Sequence, residues 1–152
     1  MAGKISLAIA AERSASLLDG LVGYALRRAH NRMMADLAPT LAPLELRPVL
    51  FAMLAVIRAN PDIIQMGLGT QLGIQRANLV PLINELTGRN LITRRADPRD
   101  RRALTLHLTR EGEALLDQAA TLIAEHEGRM LARLSATERN RLLELLEKIA
   151  AE

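Results

Sequence analysis

The sequence predicts a mainly helical chain carrying one small β-hairpin, in the order α-α-α-α-β-β-α-α. Three observations lead there. Apolar residues recur at helical spacing over most of the chain. The period drops to two only between Leu91 and Leu108. Within that stretch lies Asp97-Pro98, a turn-initiating pair. A length of 152 residues suits one unit with helical extensions.

The first helix is expected from Ser14 to Leu41. Leu17, Leu18, Leu21, Val22, Ala25, Met33 and Leu37 fall at helical spacing, and Pro39 and Pro43 mark its end. Pro48 suits the first position of a second helix, whose apolar face is Val49, Leu50, Met53, Leu54 and Ile57. Asn60-Pro61-Asp62 closes it. A short third helix, Gln65 to Leu72, is weakened by Gly67 and Gly69, each by up to about 1 kcal/mol relative to alanine. Gly73 then turns the chain. The fourth helix, Arg76 to Thr87, directs Leu79, Leu82, Ile83 and Leu86 inward. Gly88 to Asn90 stops it, since Asn90 accepts the left-handed conformation of a helix cap.

Leu91-Ile92-Thr93-Arg94 reads as a strand. Leu104, Leu106 and Leu108 alternate with Thr105 and His107 in a second strand. Thr109 caps a helix from Arg110 to Arg133. Ser135-Ala136-Thr137-Glu138 has the capping-box spacing, with hydroxyl and carboxylate placed to satisfy two free backbone N–H groups. It opens a last helix to Ala150 with Leu142, Leu143, Leu146 and Ile149 on one face.

Net charge is only +3, but it is concentrated. Between Arg89 and Arg102, six arginines face two aspartates, a net +4 that leaves the remaining chain at −1. A basic patch on a near-neutral body suits a polyanionic partner. Arginines outnumber lysines 18 to 2, which fits planar contacts to phosphate or guanine and equally fits genome composition. The absence of cysteine excludes disulfides, thiolate zinc sites and thiol redox sensing. Ile5 to Ala11 is too short to span a bilayer, and helical patterning begins at Ser14, so a cytoplasmic location is expected.

Two short helices joined by a glycine turn form a helix-turn-helix. In that motif the second helix enters the major groove and presents its N-terminal residues to base edges. Here these are Gln75, Arg76, Ala77 and Asn78. Gln and Asn pair bidentately with adenine, and Arg with guanine. The basic hairpin follows at once, with Arg94, Arg95, Arg99, Asp100, Arg101 and Arg102 on or near its tip. Helix pair and basic hairpin together make a winged helix, whose wing arginines reach phosphate or the minor groove. The lobe is expected to span 46–108.

Leu72-Gly73-Ile74-Gln75-Arg76-Ala77-Asn78-Leu79, then Leu86 to Arg95, Asp97-Pro98-Arg99-Asp100-Arg101-Arg102 and Leu108-Thr109-Arg110-Glu111-Gly112 resemble the MarR (multiple antibiotic resistance regulator) family of winged helix-turn-helix transcription regulators. The wing of that family reads D-x-R-D-R-R and is followed by L-T-x-x-G; both patterns are filled here. The resemblance implies an obligate homodimer built from helices at both termini, 14–41 and 110–151. It also implies effector-responsive control of nearby genes through double-stranded DNA. Three positions depart from the family's pattern. Ile64 stands where an N-capping Ser or Thr is common, Gly67 and Gly69 replace better helix formers, and Pro81 sits inside the recognition helix, where it removes a backbone donor and is expected to loosen or bend it.

Other constellations are weaker. Gly67-Leu68-Gly69 lacks the third glycine of a dinucleotide-binding loop. His30, His107 and His126 lie in separate elements, and a zinc site would need Glu125 or Glu127 beside His126, so neither metal nor cofactor is expected. No Ser-His-Asp spacing is recognisable, and an enzyme is not expected. Met33, Met34, Met53 and Met130 suit core packing or an adaptable pocket. Arg27, His30 and Asn31 share a helical face at i, i+3 and i+4. They form either a solvated stripe or the floor of a pocket for an anionic or aromatic effector, which Arg47 could complete. The expected function is a ligand-responsive regulator, a repressor, that binds a palindromic operator as a dimer. The alternative is a winged-helix protein-interaction module without specific DNA binding.

Overall fold

The helical periodicity and the single switch to period two translate directly into structure. The computed structural model describes residues 17–97 and 103–151. Among these the helices are α1 (Val22–Leu41), α2 (Pro48–Ala59), α3 (Gln65–Leu72), α4 (Arg76–Gly88), α5 (Arg110–Met130) and α6 (Ala136–Ala150). The strands β1 (Ile92–Ala96) and β2 (Leu104–Leu108) separate α4 from α5, and a 3-10 turn, Ala42–Leu44, follows α1. This is the order expected, mainly helical with one hairpin. The chain divides into two compact units at Asp36 and Leu37.

In the N-terminal unit the uninterrupted helix expected from Ser14 is not observed. Residues 14–16 lie outside the described residues. Leu17 and Leu18 are helical, the chain turns at Asp19 and Gly20, and α1 starts at Val22. Gly20 has φ +94, a conformation that only glycine adopts without strain. Leu17 and Val22 are 75% and 64% exposed, so the apolar stripe read from the sequence is largely uncovered.

In the second unit a core forms where the apolar faces of α2, α3, α4, β2 and α5 meet. Leu50, Met53, Leu54, Leu68, Leu79, Ile83, Leu86, Leu106 and Leu116 are all but inaccessible. Each contributes about 1.5–3 kcal/mol by leaving water. Arg58 on α2 reaches across to α5, 2.6 Å from Asp117 and 3.8 Å from Glu113.

The hairpin is antiparallel, pairing Ile92 with Leu108, Arg94 with Leu106 and Ala96 with Leu104. Cross-strand partners share a face, so the three leucines line one side as their alternation predicts. Leu106 is buried, but Leu104 is half exposed because it extends past the core. The sequence patterning did not reveal a third short strand segment. Ile64 bridges Thr105, and the Leu106 N–H donates to the Ile63 carbonyl at 2.9 Å.

The junction from hairpin to α5 explains the L-T-x-x-G pattern. The Thr109 N–H donates to the Leu91 carbonyl at 3.1 Å, and its hydroxyl donates to the Asn90 carbonyl at 2.6 Å. That hydroxyl also accepts from the Gly112 N–H at 3.0 Å, capping α5. Asn90 takes the expected left-handed conformation, φ +56. Gly112 packs so tightly that a Cβ there would sit 2.0 Å from the Leu91 oxygen.

α5 ends at Met130, three residues before the expected Arg133. The reason lies in the next helix. The Arg139 guanidinium donates to the Leu131 carbonyl at 2.9 Å and the Leu134 carbonyl at 3.2 Å, stabilising a turn there. The capping box forms in both directions between Ser135 and Glu138. Hydrogen bonds from the Ser135 backbone and hydroxyl hold the Glu138 carboxyl below the usual carboxylate range. α6 buries none of its residues, and Leu143 and Ile149 are about 60% exposed. Among the described residues no single helix is long and apolar enough to cross a membrane.

Candidate nucleic-acid interface

The turn between α3 and α4 is set by two glycines. Gly73 has φ +63, and its N–H donates to the Thr70 carbonyl at 3.3 Å. Gly69 looked like a weakness in the sequence, yet the packing needs it. A Cβ there would lie 3.0 Å from the Ile74 oxygen and 3.1 Å from a Leu79 methyl. The Ile74 N–H donates to the Gly69 carbonyl at 2.9 Å, which holds α4 close against α3. Gly67 has no such constraint, its nearest prospective neighbour being an Ile63 side-chain carbon at 3.4 Å.

α4 begins with Gln75 in an extended conformation, and no side chain caps its first turn. Uncapped N–H groups and the helix dipole make this end favourable for an anion. Gln75, Arg76, Ala77 and Asn78 are all exposed there, whereas Leu79, Ile83 and Leu86 hold the helix to the core. The helix runs unbroken from Arg76 to Gly88 with Pro81 inside it.

Arg94 and Arg95 are exposed on β1, and as strand neighbours they point to opposite faces. Arg94 turns back toward α4 and donates to Asn84 Oδ1 at 2.6 Å. Arg99, Asp100, Arg101 and Arg102 lie outside the described residues. A groove of about 680 Å³ runs between α3, the start of α4 and the hairpin. Met66, Thr70, Gln75, Arg76, Arg94 and Leu104 are among the residues that line it.

This arrangement of helix pair, exposed α4 start and flanking hairpin has close counterparts. The MarR family model matches residues 46–103. A Thauera aromatica protein named as the proposed transcriptional regulator of the hcr operon is 32% identical over 133 residues, covering 87% of this chain and 80% of its own length. The chain belongs to the MarR family. Two solved structures of the transcriptional repressor CouR are also similar. One, bound to a 23-mer DNA duplex, is 41% identical with a TM-score of 0.83, covering 88% of this chain and 95% of its own. The other, bound to p-coumaroyl-CoA, is 39% identical with a TM-score of 0.79, covering 89% and 95%. This MarR-family chain is a DNA-binding transcriptional regulator, and its α3–α4 pair and hairpin are the helix-turn-helix and wing of that fold.

The remaining polar residues of this MarR-family protein fall into place separately. Arg27, His30 and Asn31 are exposed on α1 in the N-terminal unit. Arg47, in the second unit, is exposed and forms an ion pair with Glu85. His126 is buried in α5 while Glu125 and Glu127 are exposed, so the three do not converge. Among the described residues no group of three His, Asp or Glu side chains is placed to hold a metal ion. His107 Nε2 lies 2.8 Å from the Thr105 hydroxyl and 3.6 Å from Asp62, at the base of the wing.

Sequence reasoning missed Asn84 and the groove residues Met66 and Leu104. Helical phase could have found the first, because Arg76, Val80 and Asn84 are spaced by four and share one row of α4. Met66 and Leu104 carry no such signal, since they meet only when α3 and the hairpin fold together.

Proposed function

We propose that this regulator represses transcription as a homodimer on a palindromic operator, and that an aromatic acyl thioester of coenzyme A releases it. The carrying observation is the exposed, uncapped start of α4, with Gln75, Arg76, Ala77 and Asn78 beside the arginines of β1. In this reading the four α4 residues meet base edges, and the hairpin residues Arg94, Arg95, Arg99, Asp100, Arg101 and Arg102 complete the DNA contact, the arginines on the backbone. The lobe of residues 46–108 binds DNA. The helical segments 14–41 and 110–151 dimerise, which gives the uncovered Leu17, Leu18, Leu21 and Val22 and the leucines of α6 a partner. Such a protein acts in the cytoplasm and has no enzymatic step.

The effector class follows CouR, which binds both DNA and p-coumaroyl-CoA. On this chain Arg27, His30 and Asn31 offer a cation, an imidazole and an amide on one exposed helical face. That combination suits the phosphates and carbonyls of such a thioester. The ligand must prefer one dimer geometry, and a 100-fold preference supplies roughly 2.7 kcal/mol.

Anisotropy titration of a labelled inverted-repeat duplex tests the reading. Affinity should fall steeply between about 50 and 200 mM salt, as counterion release demands. Adding p-coumaroyl-CoA should release the duplex. Equal affinity for the inverted repeat and a scrambled duplex, at every salt concentration, would refute specific operator binding.

A further inference from the structure

Arg94 reaches its place by an unusual route for an exposed arginine. It stands on β1, yet its guanidinium donates at 2.6 Å to the side-chain oxygen of Asn84, on the exposed row of α4 that begins with Arg76. Arg94 also lines the groove that Arg76 lines. The hydrogen bond therefore ties the wing strand to the recognition helix on the side where both present positive charge.

The partner's neutrality matters. Two other exposed arginines of this unit are held by carboxylates, Arg47 by Glu85 and Arg58 by Asp117. Such pairing cancels charge within the protein and leaves little for a polyanion. An amide oxygen orients the guanidinium through one strong hydrogen bond and leaves the whole positive charge available. A flexible, solvated arginine would lose rotamer freedom each time it met a phosphate, and a pre-oriented one loses less.

We infer that Asn84 is a positioning residue for DNA binding: it orients Arg94 toward the DNA backbone without neutralising it, and so couples the wing to the recognition helix. The inference rests on the reading that Arg94 contacts DNA.

The test uses the full-length chain, with a labelled inverted-repeat duplex and a scrambled duplex titrated across a salt series. The proteins are wild type, Asn84→Ala, Asn84→Asp, Arg94→Ala and the double variant Asn84→Ala/Arg94→Ala. Thermal melts check that all five fold. Arg94→Ala should weaken both duplexes and reduce the salt slope by about two per dimer, since each phosphate contact contributes ~0.9. Asn84→Ala should weaken both duplexes about tenfold per dimer, roughly threefold for the pre-orientation lost at each of two sites, with the slope retained. Asn84→Asp should lose slope as Arg94→Ala does, because its carboxylate holds Arg94 more tightly and cancels its charge. In the Arg94→Ala background, Asn84→Ala should have no further effect.

Three results overturn the inference. One is an Asn84→Ala protein that binds like wild type. Another is an Asn84→Ala loss that persists undiminished without Arg94, which would give Asn84 a contact of its own. The third is an Asn84→Asp protein with unchanged slope. Failure of the underlying reading looks different: Arg94→Ala leaves affinity and slope unchanged while the wild type still binds, or the wild type itself shows no salt-dependent binding.

Discussion

Replacing Gly112 with alanine should damage the junction between wing and α5 more than its single added methyl suggests. The new Cβ would sit 2.0 Å from the Leu91 oxygen and 3.0 Å from the Leu91 carbonyl carbon. Both are backbone atoms, so no side-chain rotation relieves the overlap, and either β1 or the first turn of α5 must shift. That shift strains the Thr109 N–H bond to the Leu91 carbonyl and the Thr109 hydroxyl cap on Gly112. Overpacking costs about 1–3 kcal/mol. Loss of the cap adds about 1 kcal/mol, and the weakened backbone hydrogen bond about 1 kcal/mol. Alanine's helix preference returns up to about 1 kcal/mol. The net expectation is a destabilisation of about 2–4 kcal/mol. Urea unfolding at fixed protein concentration should show a lower midpoint with an unchanged slope. Gly128→Ala, on the same helix with nothing within 4 Å of its prospective Cβ, is the control and should be neutral or stabilising. A Gly112→Ala protein as stable as wild type would refute the steric account of the L-T-x-x-G pattern.

Four further outcomes are expected. Gly67→Ala should raise the unfolding midpoint, since its Cβ meets only an Ile63 side-chain carbon at ordinary contact distance, and alanine gains up to about 1 kcal/mol in a helix; a lowered midpoint would contradict this. Arg76→Ala and Asn78→Ala should each lower discrimination between operator and scrambled DNA by roughly 1–3 kcal/mol per lost base contact, whereas Arg95→Ala should weaken both duplexes alike, as paired titrations would reveal. Arg27→Ala and His30→Ala should keep DNA affinity but lose release by p-coumaroyl-CoA; release at the wild-type thioester concentration would place the effector elsewhere. Because the Glu138 carboxyl titrates below the usual range in the folded chain, its contribution to stability is complete above the unfolded carboxylate pKa and disappears as pH falls through the lowered value. Acid unfolding of Ser135→Ala should lack that component.

Much of the secondary structure was legible because it depends on neighbours in sequence. Leu79, Ile83 and Leu86 recur at the helical period and are buried, and Leu106 and Leu108 alternate as a strand requires. Ser135 and Glu138 form the capping box their spacing specified, and Asn90 takes the left-handed turn. The candidate DNA-contact residues Gln75 to Asn78 were legible for the same reason, since capping and helical phase place them at one exposed helix end. Gly20 was a local signal left unread, and with φ +94 it interrupts the helix expected to run through it.

Pairwise distance between remote segments was not legible. Periodicity says which face of an element is apolar and nothing about which atom of another element meets it. Gly69 therefore looked like a poor helix former until Ile74 and Leu79 were found against it, and Gly112 was one letter of a pattern until Leu91 gave it a reason. Ile64 read only as a poor helix cap, although Ile63 and Ile64 add a bridge to the hairpin through Leu106 and Thr105. Arg47 read as a cation that could complete an effector site, and its ion pair with Glu85, distant in sequence, had no sequence signal. Arg94 read as one more wing charge until the fold brought Asn84 to its guanidinium. The sequence by itself determined the order of elements, the basic hairpin and the exposed helix start, because short-range sterics and hydrophobic period specify them. Tertiary structure alone decided which glycines pack against backbone and which arginines meet a carboxylate or an amide, because both depend on contacts across the chain at a few ångströms.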